Sequence, residues 1–178
     1  RFIVSNRPSD LMRVCGIDPG ANGAVAVLDS ENPDSFALLD LKKNSIKEIH
    51  NFIRVHLTIQ WDGSVLSTKP KYKIWVEDIH SMYGMSAKSN FSFGKNLGTV
   101  TTIAELIAGK LPNTVTPKIW QKYIGVTAKG KAVKKQVAKI AQYLYPRAQL
   151  HGKRGGLLDG RSDALMIAYY GLHNKEKV

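Results

Sequence analysis

The chain has 178 residues, and its hydrophobic fraction of 43% is enough for one domain with a sizeable core. Lys and Arg total 26 against 14 Asp and Glu, and this formal net charge of +12 indicates a polyanionic partner, either nucleic acid or an acidic membrane surface. No apolar run approaches the roughly 20 residues of a membrane-spanning helix, so we expect no insertion into a bilayer. The single cysteine, Cys15, excludes an internal disulfide and suits a reducing compartment.

The beginning of the chain has no clear helix or strand pattern. Residues 1–11 are predicted to form a flexible polar arm, and residues 12–178 a single domain. The sequence begins with Arg1 rather than methionine, so we expect a processed form from which any targeting segment has been removed.

Three short strands open the domain. Apolar runs predict strands over residues 13–18, 24–28 and 36–41, and the tight turns between them favour an antiparallel meander. Ser45 then caps a helix whose apolar residues recur at helical spacing as far as Leu57.

Strands and helices alternate through the middle of the chain. After a loop over residues 61–72, residues 73–77 are predicted to form a fourth strand. A second loop, over residues 80–90, leads to a helix that Gly109 ends, and residues 114–116 form a short fifth strand.

Two helices are predicted to close the chain. One has an apolar stripe over residues 132–144, and the other begins at Asp163 and is apolar on nearly all sides. The order of elements predicts an α/β fold with a mixed five-stranded sheet and helices on both faces.

The positive charge is concentrated in one stretch of the sequence. Between positions 110 and 154 there are 11 basic residues and no Asp or Glu. They are Lys110, Lys118, Lys122, Lys129, Lys131, Lys134, Lys135, Lys139, Arg147, Lys153 and Arg154. An isolated lysine is usually only a solvated surface residue, but a long run without acids favours a phosphate-binding face.

Three acids stand where carboxylates are costly. Asp18 and Glu77 end apolar strands, and Asp163 begins the most apolar helix, with Asp159 four residues before it. Asp18 could be an ordinary turn residue and Asp163 an ordinary first-turn acid. If the first and fourth strands are neighbours, however, Asp18 and Glu77 converge at one end of the sheet.

Such a carboxylate cluster predicts a site for Mg²⁺ or Mn²⁺, since both ions prefer oxygen ligands. Two ions about 4 Å apart would bridge a scissile phosphate. The sequence has no Cys/His spacing for zinc and no nucleophile elbow. It also has no phosphate-binding Gly-Lys-Ser/Thr loop, so we expect no nucleotide cofactor.

These motifs together resemble a known family. Gly16-Ile17-Asp18-Pro19-Gly20, then Val76-Glu77, then Ser162-Asp163-Ala164-Leu165 are similar to the RuvC-type Holliday-junction resolvases of the ribonuclease H-like superfamily. The segment from His80 to Gly98, with Pro117-Lys118-Ile119-Trp120, resembles the plant plastid branch, the monokaryotic chloroplast resolvases. The resemblance runs from about Met12 to Gly171.

The resemblance implies a ribonuclease H-like fold and a Mg²⁺-dependent endodeoxyribonuclease that resolves four-way junction DNA by paired symmetric nicks. It implies a homodimer, because two sites must act on one junction, and a location in the plastid stroma with the nucleoid. It also implies a preference for cutting near paired cytosines.

The resemblance further implies that Asp18, Glu77 and Asp163 bind the metal. In bacterial members the fourth acid stands three residues before the last aspartate, where this chain has Gly160. Asp159, four residues before Asp163, is expected as the fourth ligand if the helix extends that far.

Further residues are expected to contact DNA. Lys134 matches a family lysine that supports the scissile phosphate, although it could be an ordinary surface lysine. The remaining predicted DNA contacts are Lys118, Lys122, Lys131 and Lys135 in the basic run, Lys88, Ser89 and Asn90, and the apolar loop residues Met82, Tyr83 and Met85. These three loop residues could wedge between bases or pack within the loop. Asp78 is expected to point away from Glu77.

Three alternatives remain open from the sequence. Another ribonuclease H-like nuclease would act on RNA–DNA hybrids or structured RNA. An ATPase of the actin and sugar-kinase class also begins with Gly-Ile-Asp-x-Gly, but it needs two lobes around its nucleotide. In a DNA-binding protein without activity, the basic face would bind and the acids would only cap.

Overall fold

A five-stranded mixed sheet lies at the centre of the computed structural model, which describes residues 11–32, 34–58, 71–79 and 86–174. The strands are β1 Met12–Asp18, β2 Ala24–Asp29, β3 Phe36–Asp40, β4 Lys71–Glu77 and β5 Asn113–Val115. Their order across the sheet is β3-β2-β1-β4-β5. The first three pair in antiparallel fashion, whereas β4 is parallel to both β1 and β5. The predicted meander and mixed sheet are confirmed.

Helices cover both faces of this sheet. They are α1 Ile46–Thr58, α2 Ala87–Ala108, α3 Pro117–Tyr123, α4 Ala132–Leu144 and α5 Asp159–His173, with a short 3-10 helix at Leu41–Lys43. Side chains of β1 alternate between two cores, because Val14 packs with α3, α4 and α5 while Cys15 and Ile17 pack with α1 and α2. The architecture is therefore the predicted α/β one, with a mixed five-stranded sheet between two helical layers.

The last helix, α5, packs directly on the central strand β1. Gly16 makes this possible, since a β-carbon at that position would lie 2.4 Å from the carbonyl oxygen of Ala164 and 2.3 Å from the amide nitrogen of Ala168. Residues from Ala164 to Ala168 are fully buried, as the apolar sequence predicted. The close contact fixes the beginning of α5 relative to the end of β1.

Two helices differ from the prediction. Helix α3 was not predicted, because Pro117 was read as the end of a strand; its restricted φ also suits the first position of a helix, and it has that role here. Helix α5 begins at Asp159 rather than at Asp163, so the prediction that Asp163 opens the helix was wrong.

Two predicted loops are shorter than expected. Residues 71 and 72 belong to β4, since the strand extends to pair with Met12 and Arg13. Residues 87–90 belong to α2, because the Ser86 side chain caps the helix by accepting a hydrogen bond from the Ser89 amide. Glycine at the end of α2 behaves as predicted, with Gly109 in the left-handed conformation.

Most of the predicted N-terminal arm, residues 1–10, lies outside the described residues. Leu11 is described and is buried, and its carbonyl oxygen accepts a hydrogen bond from the Lys71 amide. Among the described helices, none is long and apolar enough to span a membrane.

Candidate active site

Two carboxylates meet where adjacent parallel strands end. Asp18 is the last residue of β1 and Glu77 the last residue of β4, and the register pairs Ile17 with Val76, one residue earlier in each strand. Both carboxylates are buried, with 8% of Asp18 and 4% of Glu77 exposed. The predicted convergence of these two acids at one end of the sheet is confirmed.

The first turns of α5 bring two more carboxylates to the same place. Asp159 begins the helix and Asp163 follows one turn later, so both side chains lie on one helical face. All four acids line a single cleft of about 740 Å³. Helix α5 therefore extends as far as Asp159, which is the condition under which this acid was expected to be the fourth ligand.

Burial, and then mutual repulsion, disfavour the charged form of Asp18, Glu77 and Asp163. Burial raises the pKa of Asp18 to about 6; the Gly20 amide, which donates to Asp18 Oδ1 at 2.8 Å, limits the rise, and Asp159 adds to it. Burial and then the nearby Asp18 raise the pKa of Glu77 to about 7. The cleft therefore holds more negative charge than its surroundings compensate.

Asp163 is the most affected member of the cluster. Its pKa is well above the usual range, first because of burial and then because of repulsion from Asp18, Glu77 and Asp159. All three of its carboxylate neighbours are close enough to disfavour its ionisation. The charge state of Asp163 therefore depends on the other three acids of the cleft.

Lys134 supplies a positive charge to the cleft. Its ammonium group makes an ion pair with the Asp159 carboxylate, and this hydrogen bond raises the pKa of Lys134. The lysine lies near the beginning of α4, and its side chain is 64% exposed. The structure thus places Lys134 among the acids.

The beginning of α2 forms another wall of the cleft. Lys88, Ser89 and Asn90 line it together with Phe93. Helix α2 is also tied to the turn after β1, since the Asn96 side chain donates to the Gly20 carbonyl oxygen at 3.4 Å. The predicted polar residues of this segment therefore lie beside the acids, although on a helix rather than a loop.

Four of the other predicted DNA contacts are described by the structure and do not line the cleft. Lys118 and Lys122 are exposed on α3, and Lys131 and Lys135 are exposed around the beginning of α4. None of these four lines the cleft, but Lys131 and Lys135 lie close in sequence to Lys134, which does. The three loop residues Met82, Tyr83 and Met85 lie outside the described residues.

One residue near the acids was missed as part of the site. Trp120 is fully buried in α3, and its indole Nε1 donates a hydrogen bond to Glu77 Oε1 at 2.9 Å. In the sequence this tryptophan stands out only as part of the motif Pro117-Lys118-Ile119-Trp120. Recognising α3 as a helix would have indicated that Trp120 faces the core, but not which residue its indole contacts.

The donor set of the cleft fits a hard divalent ion, since it offers four carboxylates. Within the described part of the chain, no group of three or more His, Cys, Asp or Glu side chains is already arranged to hold a metal ion.

Comparisons with known proteins find similarity among solved structures. No family model matches the chain, and no curated protein matches it either. Among solved structures, the chain is similar to T. thermophilus RuvC in complex with Holliday junction substrate, with 18% sequence identity and a TM-score of 0.49. The similarity covers 90% of this chain and 94% of that chain.

Proposed function

We propose that this protein is a divalent-metal-dependent endodeoxyribonuclease that resolves four-way DNA junctions. The observation that carries the proposal is the cleft in which Asp18, Glu77, Asp159 and Asp163 lie with Lys134. Holding four carboxylates together, two of them buried, is costly unless a cation compensates them, and a phosphodiester substrate suits the basic surface beside the cleft.

Asp18, Glu77 and Asp163 would hold the metal, with Asp159 as a fourth ligand. When bound, two Mg²⁺ or Mn²⁺ ions supply an activated water and stabilise the charge that develops on the scissile phosphate. Because the four side chains already line one cleft, we expect their rotation, rather than movement of the sheet, to complete the metal site.

Lys134 would contact the scissile phosphate. In the structure its ammonium group pairs with Oδ2 of Asp159, so this pair would open if that oxygen bound the metal. A lysine released in this way lies within the cleft and can neutralise part of the charge on the phosphate.

The DNA would extend from the cleft over the basic surface. Lys131, Lys135, Lys118 and Lys122 carry no acid near them in sequence, and each can pair with a backbone phosphate. Lys88, Ser89 and Asn90 would contact the DNA at the opposite wall of the cleft. Met82, Tyr83 and Met85 remain proposed wedges between bases at the junction.

The proposed reaction also needs two copies of the site. A four-way junction has near two-fold symmetry, so a symmetric homodimer would make paired nicks in opposing strands. A plastid location and a preference for cutting near paired cytosines remain proposals that rest on the sequence resemblance alone.

A synthetic four-way junction tests the proposed function directly. We expect symmetric nicks in opposing strands with Mg²⁺ and no cleavage in EDTA. Asp18→Asn and Glu77→Gln should abolish cleavage but retain junction binding, because they remove metal ligands and leave the basic surface intact. Glu105→Gln is the matched control, since Glu105 is an exposed acid on α2 outside the cleft.

Several results would contradict the proposal. Equal cleavage of linear duplex would reject junction specificity, and preferential cleavage of an RNA–DNA hybrid would favour the other nuclease. Salt-sensitive binding without cleavage under any divalent ion would favour a binding protein without activity. Loss of folding in the Asp18 and Glu77 variants would mean that these acids are structural.

A further inference from the structure

Trp120 is the largest fully buried side chain in the described part of the chain. Its position follows from α3, a helix of seven residues that begins at Pro117 and directs the indole into the core shared with α4 and α5. A buried indole N–H is costly unless it has an acceptor. Here the acceptor is the carboxylate of Glu77, which is 43 residues away in sequence.

The hydrogen bond fixes one oxygen of Glu77. Indole Nε1 lies 2.9 Å from Oε1, and both groups are buried, so the geometry is protected from water. Among the described residues only Oε1 of Glu77 has a hydrogen-bond partner, which leaves Oε2 available to a cation in the cleft. A bond from a neutral donor to a charged acceptor is stronger than one between neutral groups.

A neutral donor has a specific advantage at this position. Lys134 also binds a carboxylate of the cluster, Asp159, but it does so with a positive charge that competes with a metal ion. The indole N–H of Trp120 orients Glu77 without adding a cation. It therefore holds a ligand in place and leaves the negative charge of that ligand available to the metal.

We propose that Trp120 is a positioning residue that holds Glu77 in the orientation in which its free oxygen binds the divalent ion. This inference rests on the proposed metal-dependent function. It assigns a role in that site to a helix, α3, that contributes no carboxylate to the cluster.

Trp120→Phe tests the role, because phenylalanine keeps an aromatic ring in the core and removes the N–H donor. Losing a hydrogen bond to a charged group should weaken Mn²⁺ affinity about tenfold, measured by calorimetry on the intact protein without DNA. The Mg²⁺ concentration that gives half-maximal junction cleavage should rise by a similar factor, while cleavage at saturating Mg²⁺ changes less.

Trp75→Phe is the matched control. Trp75 is 3% exposed and belongs to the same core, but its Nε1 has no hydrogen-bond partner among the described residues. The same loss of ring size should therefore lower the melting temperature without changing metal affinity. Equal loss of Mn²⁺ affinity in both variants would mean that core packing, and not the Glu77 hydrogen bond, is responsible.

A measurement on the unsubstituted protein covers the case in which Trp120→Phe does not fold. The indole N–H signals of ¹⁵N-labelled protein can be assigned with Trp61→Phe and Trp75→Phe. Titration with Mg²⁺ should shift the Trp120 signal with the same affinity that calorimetry gives, and should leave the Trp75 signal unchanged.

The outcomes separate this inference from the proposed function. If Mg²⁺ and Mn²⁺ bind but Trp120→Phe binds them equally well or more tightly, or if the Trp120 signal does not respond, the positioning role is wrong and the proposed function stands. If neither ion binds to the protein, both are wrong.

Discussion

Gly160 lies against the backbone of Asn22, so closely that a β-carbon at position 160 would be 2.0 Å from the Asn22 carbonyl oxygen. This contact joins the first turn of α5 to the turn after β1, which follows Asp18. It gives a physical reason for the place of the fourth acid, because no side chain fits at position 160. Asp159, one residue earlier, lines the cleft instead.

Gly160→Ala should therefore destabilise the protein, by about 1–3 kcal/mol through overpacking, and displace the turn beside Asp18. Gly98→Ala is the control, and it should change the free energy of unfolding in the opposite direction. Gly98 lies within α2, and an added β-carbon there meets nothing within 4 Å. That change should stabilise the helix by roughly 0.5–1 kcal/mol. Chemical denaturation of both variants measures the difference; equal effects would contradict the close contact.

The metal-free protein should become more stable as the pH falls from about 8 to about 5. Burial raises the pKa of Asp18 to about 6 and that of Glu77 to about 7, so the folded state binds protons more tightly than the unfolded chain. The cost of ionising these acids is fully present above their folded pKa values and is relieved as the pH falls through them. Together they should change the free energy of unfolding by a few kcal/mol.

Thermal melts in EDTA across this pH range provide the measurement. His56 acts in the opposite direction, since burial and the neighbouring Arg13 lower its pKa and its protonation favours unfolding at low pH. The Asp163→Asn variant retains His56 but lacks one carboxylate that repels Asp18 and Glu77. Its melting temperature should therefore depend less on pH than that of the unsubstituted protein. A pH dependence that is identical in both proteins would show that the carboxylate cluster does not cause it.

Cys15 should be unreactive until the protein unfolds. Its thiol is fully buried between β1 and the layer of α1 and α2, and burial raises the pKa of the thiol far above its usual value. Because it is the only cysteine in the sequence, alkylation followed by mass measurement reports a single site. Labelling should follow the unfolding equilibrium, and rapid labelling under native conditions would contradict the burial.

Two lysines beside the cleft should contribute to DNA affinity through phosphate contacts. The double variant Lys131→Ala/Lys135→Ala should lower the dependence of log K on log salt by about 0.9 for each lost contact. Lys42→Ala/Lys47→Ala removes the same charge from exposed positions around the opposite helical layer and is the control. An equal decrease of this salt dependence in the two double variants would mean that net charge, rather than the surface beside the cleft, determines binding.

The sequence was sufficient to predict that the first two acids end strands, but not that these strands are neighbours. Asp18 and Glu77 each end an apolar run, and their convergence followed only on the condition that the two strands lie side by side, which the pairing of β1 with β4 fulfils. Lys134 and Asp159 were expected near the site from the family resemblance, but their ion pair was not, because it joins residues 25 positions apart. No local pattern encodes such a contact.

The contribution of α3 was not predictable for a related reason. Seven residues beginning with Pro117 give too short a periodic pattern to separate a helix from a turn. The partner of Trp120 is determined by how α3 packs beside β4, which is a property of the tertiary structure. That Asp159 and Asp163 share one face of α5 could be predicted only on the condition that the helix reaches Asp159. The residue at which a helix begins is harder to predict than the existence of the helix.

The packing of α5 on β1 has a consequence for synthesis on the ribosome. Asp18 belongs to β1, which is made before the other described strands, but Asp159 and Asp163 lie on α5, which follows the other described helices and must dock against Gly16 before the cluster exists. A nascent chain that has folded its meander and even added β4 still lacks two of the four acids. Any activity that depends on the complete cluster therefore begins only after α5 has been translated and has left the exit tunnel.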